Sequence, residues 1–348
     1  MVGMAVFTVW TPVTQLITGT WVLIALAIAC VVAAANATST ARLAARLPHS
    51  GGVYSYAKHW LNIPSALIAG YSFWISKTAS SATAALAIGA YLTPQQPKIT
   101  ALVAIAVALG INAAGINRTV IFLAVTSATV IAILLFTTRH QIEAKAFEIV
   151  SNPSVVEVLG AAAYLFIAFA GYARIATLGA EVKDPRKTIP VAMTASLIVV
   201  AALMAFIGWS VSSRPITGDA SLLALNPDAR FALQIAVVLS AGGTLISLIA
   251  GMSRTVLAMA SNQHAPATLR TLHNGIPQRA QSVVAVGIAT VALAGGIRFG
   301  LALAATAILT YYAIAHLSAL KAGLGKVVPL AGLLGCFGLG LSLLWVNF

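Results

Sequence analysis

Phe166-Ile167-Ala168-Phe169-Ala170-Gly171-Tyr172-Ala173-Arg174 places a glycine and a charge inside an apolar stretch that runs on into Glu181-Val182-Lys183-Asp184-Pro185-Arg186-Lys187-Thr188-Ile189-Pro190. This is the profile of a membrane helix broken part-way across. Backbone groups freed at membrane depth are tolerated only where protein or a water-filled cavity satisfies them, so such a break points to a ligand site. The competing explanation for Gly171 is a small residue that lets two helices pack closely.

The rest of the chain requires a membrane around that break. Of its 348 residues, 60% are hydrophobic and 8% charged, whereas a soluble domain carries about 25% charged residues. The mean hydropathy is +0.96. Crossing roughly 30 Å of hydrocarbon takes about 20 apolar residues. Candidate spans lie at about 19–45, 64–92, 99–115, 119–137, 154–180, 188–211, 231–258, 282–297, 299–320 and 325–346. Residues 2–17, with Gly3 and Pro12, reach only about 24 Å at 1.5 Å per residue and read as half a helix. No polar segment is large enough for a separate soluble domain, so residues 1–348 form one all-α polytopic membrane domain.

Charge sets an orientation. If the first fragment leads outward, twelve Lys and Arg, from Arg42 to Lys326, fall in cytoplasmic connections, and six, from Lys98 to Arg298, in outer ones. That bias obeys the positive-inside rule and predicts a multi-pass protein of a plasma or bacterial inner membrane. The net charge of +13 is spread over short connections rather than gathered in a patch with aromatics, which argues against a nucleic-acid partner. Cys30 and Cys336 lie within spans and suggest neither a disulfide framework nor a metal site. With no serine elbow, phosphate loop or His-Cys-acid cluster, no enzyme activity, cofactor or metal is expected.

A second interruption, Gly3-Met4-Ala5-Val6-Phe7, mirrors the one at Phe169-Ala170-Gly171-Tyr172, and each opens a set of five spans. Paired interruptions in corresponding positions of two halves point to a secondary transporter with inverted repeats, here 1–138 and 154–320, followed by an additional span at 325–346. They fit alternating access better than a continuous pore.

Ordered stretches along the chain carry a family resemblance. Ala41-Arg42-Leu43-Ala44-Ala45-Arg46-Leu47-Pro48-His49-Ser50-Gly51-Gly52-Val53-Tyr54, the broken stretch with its exit Glu181 to Pro190, and Met252-Ser253-Arg254-Thr255-Val256-Leu257-Ala258-Met259-Ala260 occur in the order and spacing of a permease. The chain resembles the amino acid–polyamine–organocation superfamily. The resemblance implies the LeuT-type five-plus-five inverted repeat with broken spans 1 and 6. Members usually begin with a half-helix ahead of the first turn, so the resemblance implies a first half-helix that is missing and an N-terminally truncated form. A start at Met1 would leave an α-amino group near mid-membrane, where an unpaired charge costs several kcal/mol. Either a start upstream or poor transport, even a transport-dead form, is then expected.

The resemblance also assigns the site. Backbone N–H groups at Gly3, Met4, Ala5, Val6 and Phe7 would receive a substrate carboxylate, and carbonyls at Phe169, Ala170, Gly171 and Tyr172 its ammonium. Arg174, paired with Glu181, is expected at an inner gate. Lys77 sits about thirteen residues from either end of its span, too deep to snorkel easily. It either carries the coupling proton, or holds the place of a coupling ion, or lines a watery vestibule. Thr244, Ser247 and Ser253 could offer oxygens to sodium but are expected to bond their own helix backbone. Tyr71, Trp74, Tyr311 and Tyr312 are expected to be packing or interface residues rather than ligands. With no carboxylate at mid-depth, a neutral zwitterionic amino acid with proton coupling is the expected cargo, ahead of cationic amino acids or organic amines.

Overall fold

The computed structural model describes residues 3–47, 51–115, 120–138, 152–172, 185–212, 215–261, 263–273 and 275–347. In chain order its helices are α1 (Ala5–Thr8), α2 (Trp10–Leu16), α3 (Thr20–Arg46), α4 (Val53–Trp60), α5 (Ile63–Leu92), α6 (Pro97–Ala113), α7 (Val120–Thr138) and α8 (Val155–Phe166). They continue with α9 (Pro185–Val211), α10 (Ser221–Leu225), α11 (Arg230–Val237), α12 (Gly243–Ser261), α13 (Gln278–Ala294), α14 (Ile297–Lys321) and α15 (Val327–Asn347).

Each predicted span has a helix among the described residues, and residues 173–180 of the span expected at 154–180 lie outside them. Among the described residues, five segments are long and apolar enough to cross a membrane: Thr20–Arg46, Pro190–Val211, Pro227–Ser261, Ile297–Lys321 and Val327–Asn347. Four shorter apolar helices and the 30-residue α5 occupy the other predicted positions. Span 8 departs from the continuous helix expected over 231–258. Between α11 and α12, Val238–Gly242 winds as a π-helix, a local widening that often marks functional positions.

The helices cluster into two compact units, each drawing on both sequence halves, so packing divides the chain differently from the repeats. The first unit holds Met1–Thr8, Lys77–His140 and Thr217–Leu301. In it α6 packs on α12 and α13, α7 on α11, and α1 on α10. Asn112 Nδ2 donates to the Ile246 carbonyl at 3.1 Å, a polar tie between α6 and α12. An apolar cavity of about 380 Å³ lies between α6 and the π-helical segment, lined by Val103, Val107, Leu239 and Gly242 among others.

The second unit holds Val9–Ser76, Gln141–Ile216 and Ala302–Phe348, with α3 packed against α8, α9 and α15. Small residues set these contacts, as expected where lipid provides no hydrophobic drive between helices. A Cβ on Gly335 would meet Val32 at 2.7 Å, one on Gly160 would meet Val346 at 3.0 Å, and Gly332 lies against the ring of His316. That ring is fully buried between Ser39 (Nδ1···Oγ 3.0 Å) and Asn36 (Nε2···Oδ1 2.7 Å), joining α14 to α3. Interhelical hydrogen bonds of this kind contribute about 0.6 kcal/mol on average.

The Gly51-Gly52 turn also belongs to this unit. Both residues have positive φ, +118° and +56°, values that a Cβ disfavours. The turn aims the Val53 N–H at Tyr311 Oη, 3.2 Å away, anchoring α4. Burial pushes the Tyr56 phenol up, and the nearby Tyr311 adds to the shift, so Tyr56 stays protonated.

Loop contacts agree with the alternation of sides. Gly19 N–H donates to the Ser212 carbonyl at 2.8 Å, Asn226 Nδ2 to the Thr137 carbonyl at 2.8 Å, and Lys98 Nζ to the Leu293 carbonyl at 2.9 Å. Arg42 donates to the Leu324 carbonyl at 3.1 Å. In each pair both partners come from connections that the charge bias assigns to one side.

Candidate functional site

The first interruption is a single buried turn. Met4, Ala5, Val6 and Phe7 are all at most 4% exposed. Its carbonyls are taken by donors. The Phe7 N–H (2.9 Å) and Thr8 Oγ1 (3.2 Å) both donate to the Met4 carbonyl. The Phe7 carbonyl accepts from Ser221 Oγ at 2.9 Å and from Tyr91 Oη at 3.2 Å. The Val6 and Phe7 N–H groups turn back onto the Gly3 and Met4 carbonyls. Of the five residues named from the sequence, Gly3, Met4 and Ala5 stand at the start of the turn, the end toward which its N–H groups point.

The second interruption begins earlier than Gly171. The capping box of Ser154 and Glu157, with Ser154 N–H to Glu157 Oε2 at 2.7 Å, starts α8 firmly. The α-helix then ends at Phe166 and tightens into a 3₁₀ turn over Ile167–Tyr172. Such tightening changes which carbonyls are bonded within the helix. Phe169 and Ala170 are buried, while Gly171 is exposed. Arg174 and Glu181 lie outside the described residues.

The glycines differ in the space around them. Among the described residues, a Cβ built on Gly3 or on Gly171 meets no atom within 4 Å. Neither has the positive φ that would require glycine. Gly332 and Gly335 are packing glycines; Gly3 and Gly171 meet no such neighbour among the described residues.

Lys77 is 6% exposed, in a helix stretch whose neighbours Ser76, Thr78 and Ser81 are also buried. Thr78 Oγ1 contacts Met252 Sδ at 3.6 Å, linking α5 to α12. Thr244 and Ser253 donate to the Ser240 and Ala250 carbonyls at 2.8 and 3.0 Å, the backbone bonding expected of them. Tyr311 and Tyr312 pack in an aromatic group with Phe73 and Phe166, as expected, whereas Tyr71 is 47% exposed. The contacts of Tyr91 and Ser221 with the Phe7 carbonyl, and the π-helical segment, carry no local signal in the sequence.

The profile of the amino acid permease family matches residues 1–324. The chain belongs to this family. Among its relatives are uncharacterized transporters of Mycobacterium bovis and Mycobacterium tuberculosis, each 36% identical over 371 aligned residues, covering 99% of this chain and 83% of theirs. The crystal structure of MhsT in complex with L-phenylalanine superposes with a TM-score of 0.66, at 13% identity, over 99% of this chain and 95% of that one. The permease therefore has the LeuT-type fold that its family resemblance implied. It is a multi-pass membrane transporter of amino acids, not an enzyme.

Proposed function

We propose that this permease moves neutral zwitterionic amino acids by alternating access, coupled to protons. The repeats 1–138 and 154–320 supply one broken span each, with 325–346 as an additional span. N–H groups at Gly3 to Ala5 receive the carboxylate, and carbonyls from Phe169 to Tyr172 the ammonium. The observation that supports this reading is that, among the described residues, nothing lies within 4 Å of a Cβ on Gly3, just ahead of α1, or on Gly171, in the 3₁₀ turn after α8.

Charge supports a neutral cargo. In the sequence, none of the seven carboxylates falls at the centre of a predicted span: Glu143, Glu148, Glu157, Glu181, Asp184, Asp219 and Asp228. Glu157 is further occupied in its cap. A dication would meet Lys77 without a mid-depth carboxylate, an arrangement that Coulomb repulsion disfavours. The L-phenylalanine held by MhsT belongs to the same class of zwitterion. Lys77 is proposed as the proton carrier because it is a buried ionisable group within a span.

Thermal unfolding of purified protein with single amino acids and amines, repeated across pH, tests the cargo. A ligand at about 100 times its Kd adds roughly 2.7 kcal/mol to the native state. Neutral amino acids are expected to raise Tm; stabilisation by diamines or cationic amino acids alone would overturn the assignment.

A further inference from the structure

The Phe7 carbonyl is the meeting point of elements far apart in sequence. Tyr91, 84 residues away at the end of α5, donates its hydroxyl at 3.2 Å, and Ser221, 214 residues away at the start of α10, donates at 2.9 Å. Both side chains are fully buried. The Tyr91 oxygen also accepts from the Leu222 N–H at 3.1 Å, so it bridges α1 and α10. Its ring meets the Phe7 ring edge-on, with centroids 6.0 Å apart and planes at 88°. From α11, Gln234 Nε2 donates to the Tyr91 carbonyl at 2.8 Å, fixing the end of α5 beneath the hydroxyl.

We propose that Tyr91 and Ser221 are positioning residues that set substrate affinity by fixing the Phe7 carbonyl. The inference rests on the reading that Gly3 to Ala5 receive the carboxylate. Peptide units in one turn point the same way, carbonyls toward one end and N–H groups toward the other. Two hydroxyls on the Phe7 carbonyl hold that turn by its negative end and keep its open N–H groups facing the opposite way, toward Gly3. A peptide unit is planar, so the same bonds fix the Thr8 N–H. Losing one donor leaves the carbonyl held by the other, with a turn less well prepared for the anion. Losing both frees it. Neither hydroxyl needs to touch substrate, which makes their effect one of preorganisation.

The test is uptake of L-alanine, L-leucine and L-phenylalanine by Y91F, S221A, the double variant and S221T, with transporter amount and Tm measured alongside. Each single loss of a hydroxyl is expected to raise KM by roughly two- to tenfold with Vmax per transporter retained. The double variant is expected to exceed either, and S221T, which keeps its hydroxyl, to stay near the parent protein. Unchanged KM in Y91F and S221A, or losses of Vmax and Tm at constant KM, would overturn the positioning role. Parent protein with saturable uptake and unaffected variants removes this inference alone. No saturable uptake of any of the three by the parent removes the carboxylate reading and the inference with it.

Discussion

Gly171→Leu is expected to reduce amino acid uptake by roughly five- to 150-fold while leaving Tm within a few degrees of the parent protein. The two halves of that expectation come from different observations. Open space beside Gly171 means that a side chain there displaces no described atom, and leucine is a better helix former than glycine. Folding should therefore hold. If that space receives the substrate, however, leucine occupies it, and crowding a fitted site costs about 1 to 3 kcal/mol, where each 1.4 kcal/mol is tenfold in affinity. Gly332→Leu supplies the contrast: its side chain would be driven into the buried His316 ring, and Tm should fall sharply. Uptake by Gly171→Leu at the parent level would show that the space is not the substrate's.

Lys77→Met is expected to abolish accumulation of substrate against its gradient and to flatten the pH dependence of uptake, while exchange between the two sides survives. Methionine keeps an unbranched apolar stem and removes the ammonium. A charged lysine at mid-span costs about 2.5 to 3.5 kcal/mol, so a fold that buries Lys77 to 6% exposure retains it for a reason other than packing. If that reason is a proton gained and released in each cycle, driven transport needs the amine and passive exchange does not. Uptake in proteoliposomes with an imposed pH gradient checks this. A Lys77→Met variant that still accumulates substrate with the parent's pH profile would remove Lys77 from coupling.

The spans were legible because lipid imposes a length and an apolar composition that few other environments demand, and each predicted span has a helix. The breaks were legible because glycine stands out at Gly3 and Gly171. Where the second break starts was not: Ile167 and Ala168 are ordinary helix-compatible residues, yet the α-helix yields at Phe166. The π-helical winding at Val238–Gly242 likewise has no local sign beyond Gly242-Gly243. Nothing in the local sequence marks Tyr91 or Ser221. Their common target at Phe7 depends on contacts 84 and 214 residues apart, which hydrophobic periodicity does not encode. His316, one of six scattered histidines in the sequence, acquires its place between Ser39 and Asn36 only when α14 meets α3.

The most direct test of carriage through paired broken spans is counterflow in proteoliposomes loaded with an unlabelled neutral amino acid and exposed to a trace of the labelled one. A carrier that exposes one site alternately to each side predicts transient, saturable accumulation of label that depends on the internal amino acid. Label entry that rises linearly with concentration and ignores what is inside would contradict the account.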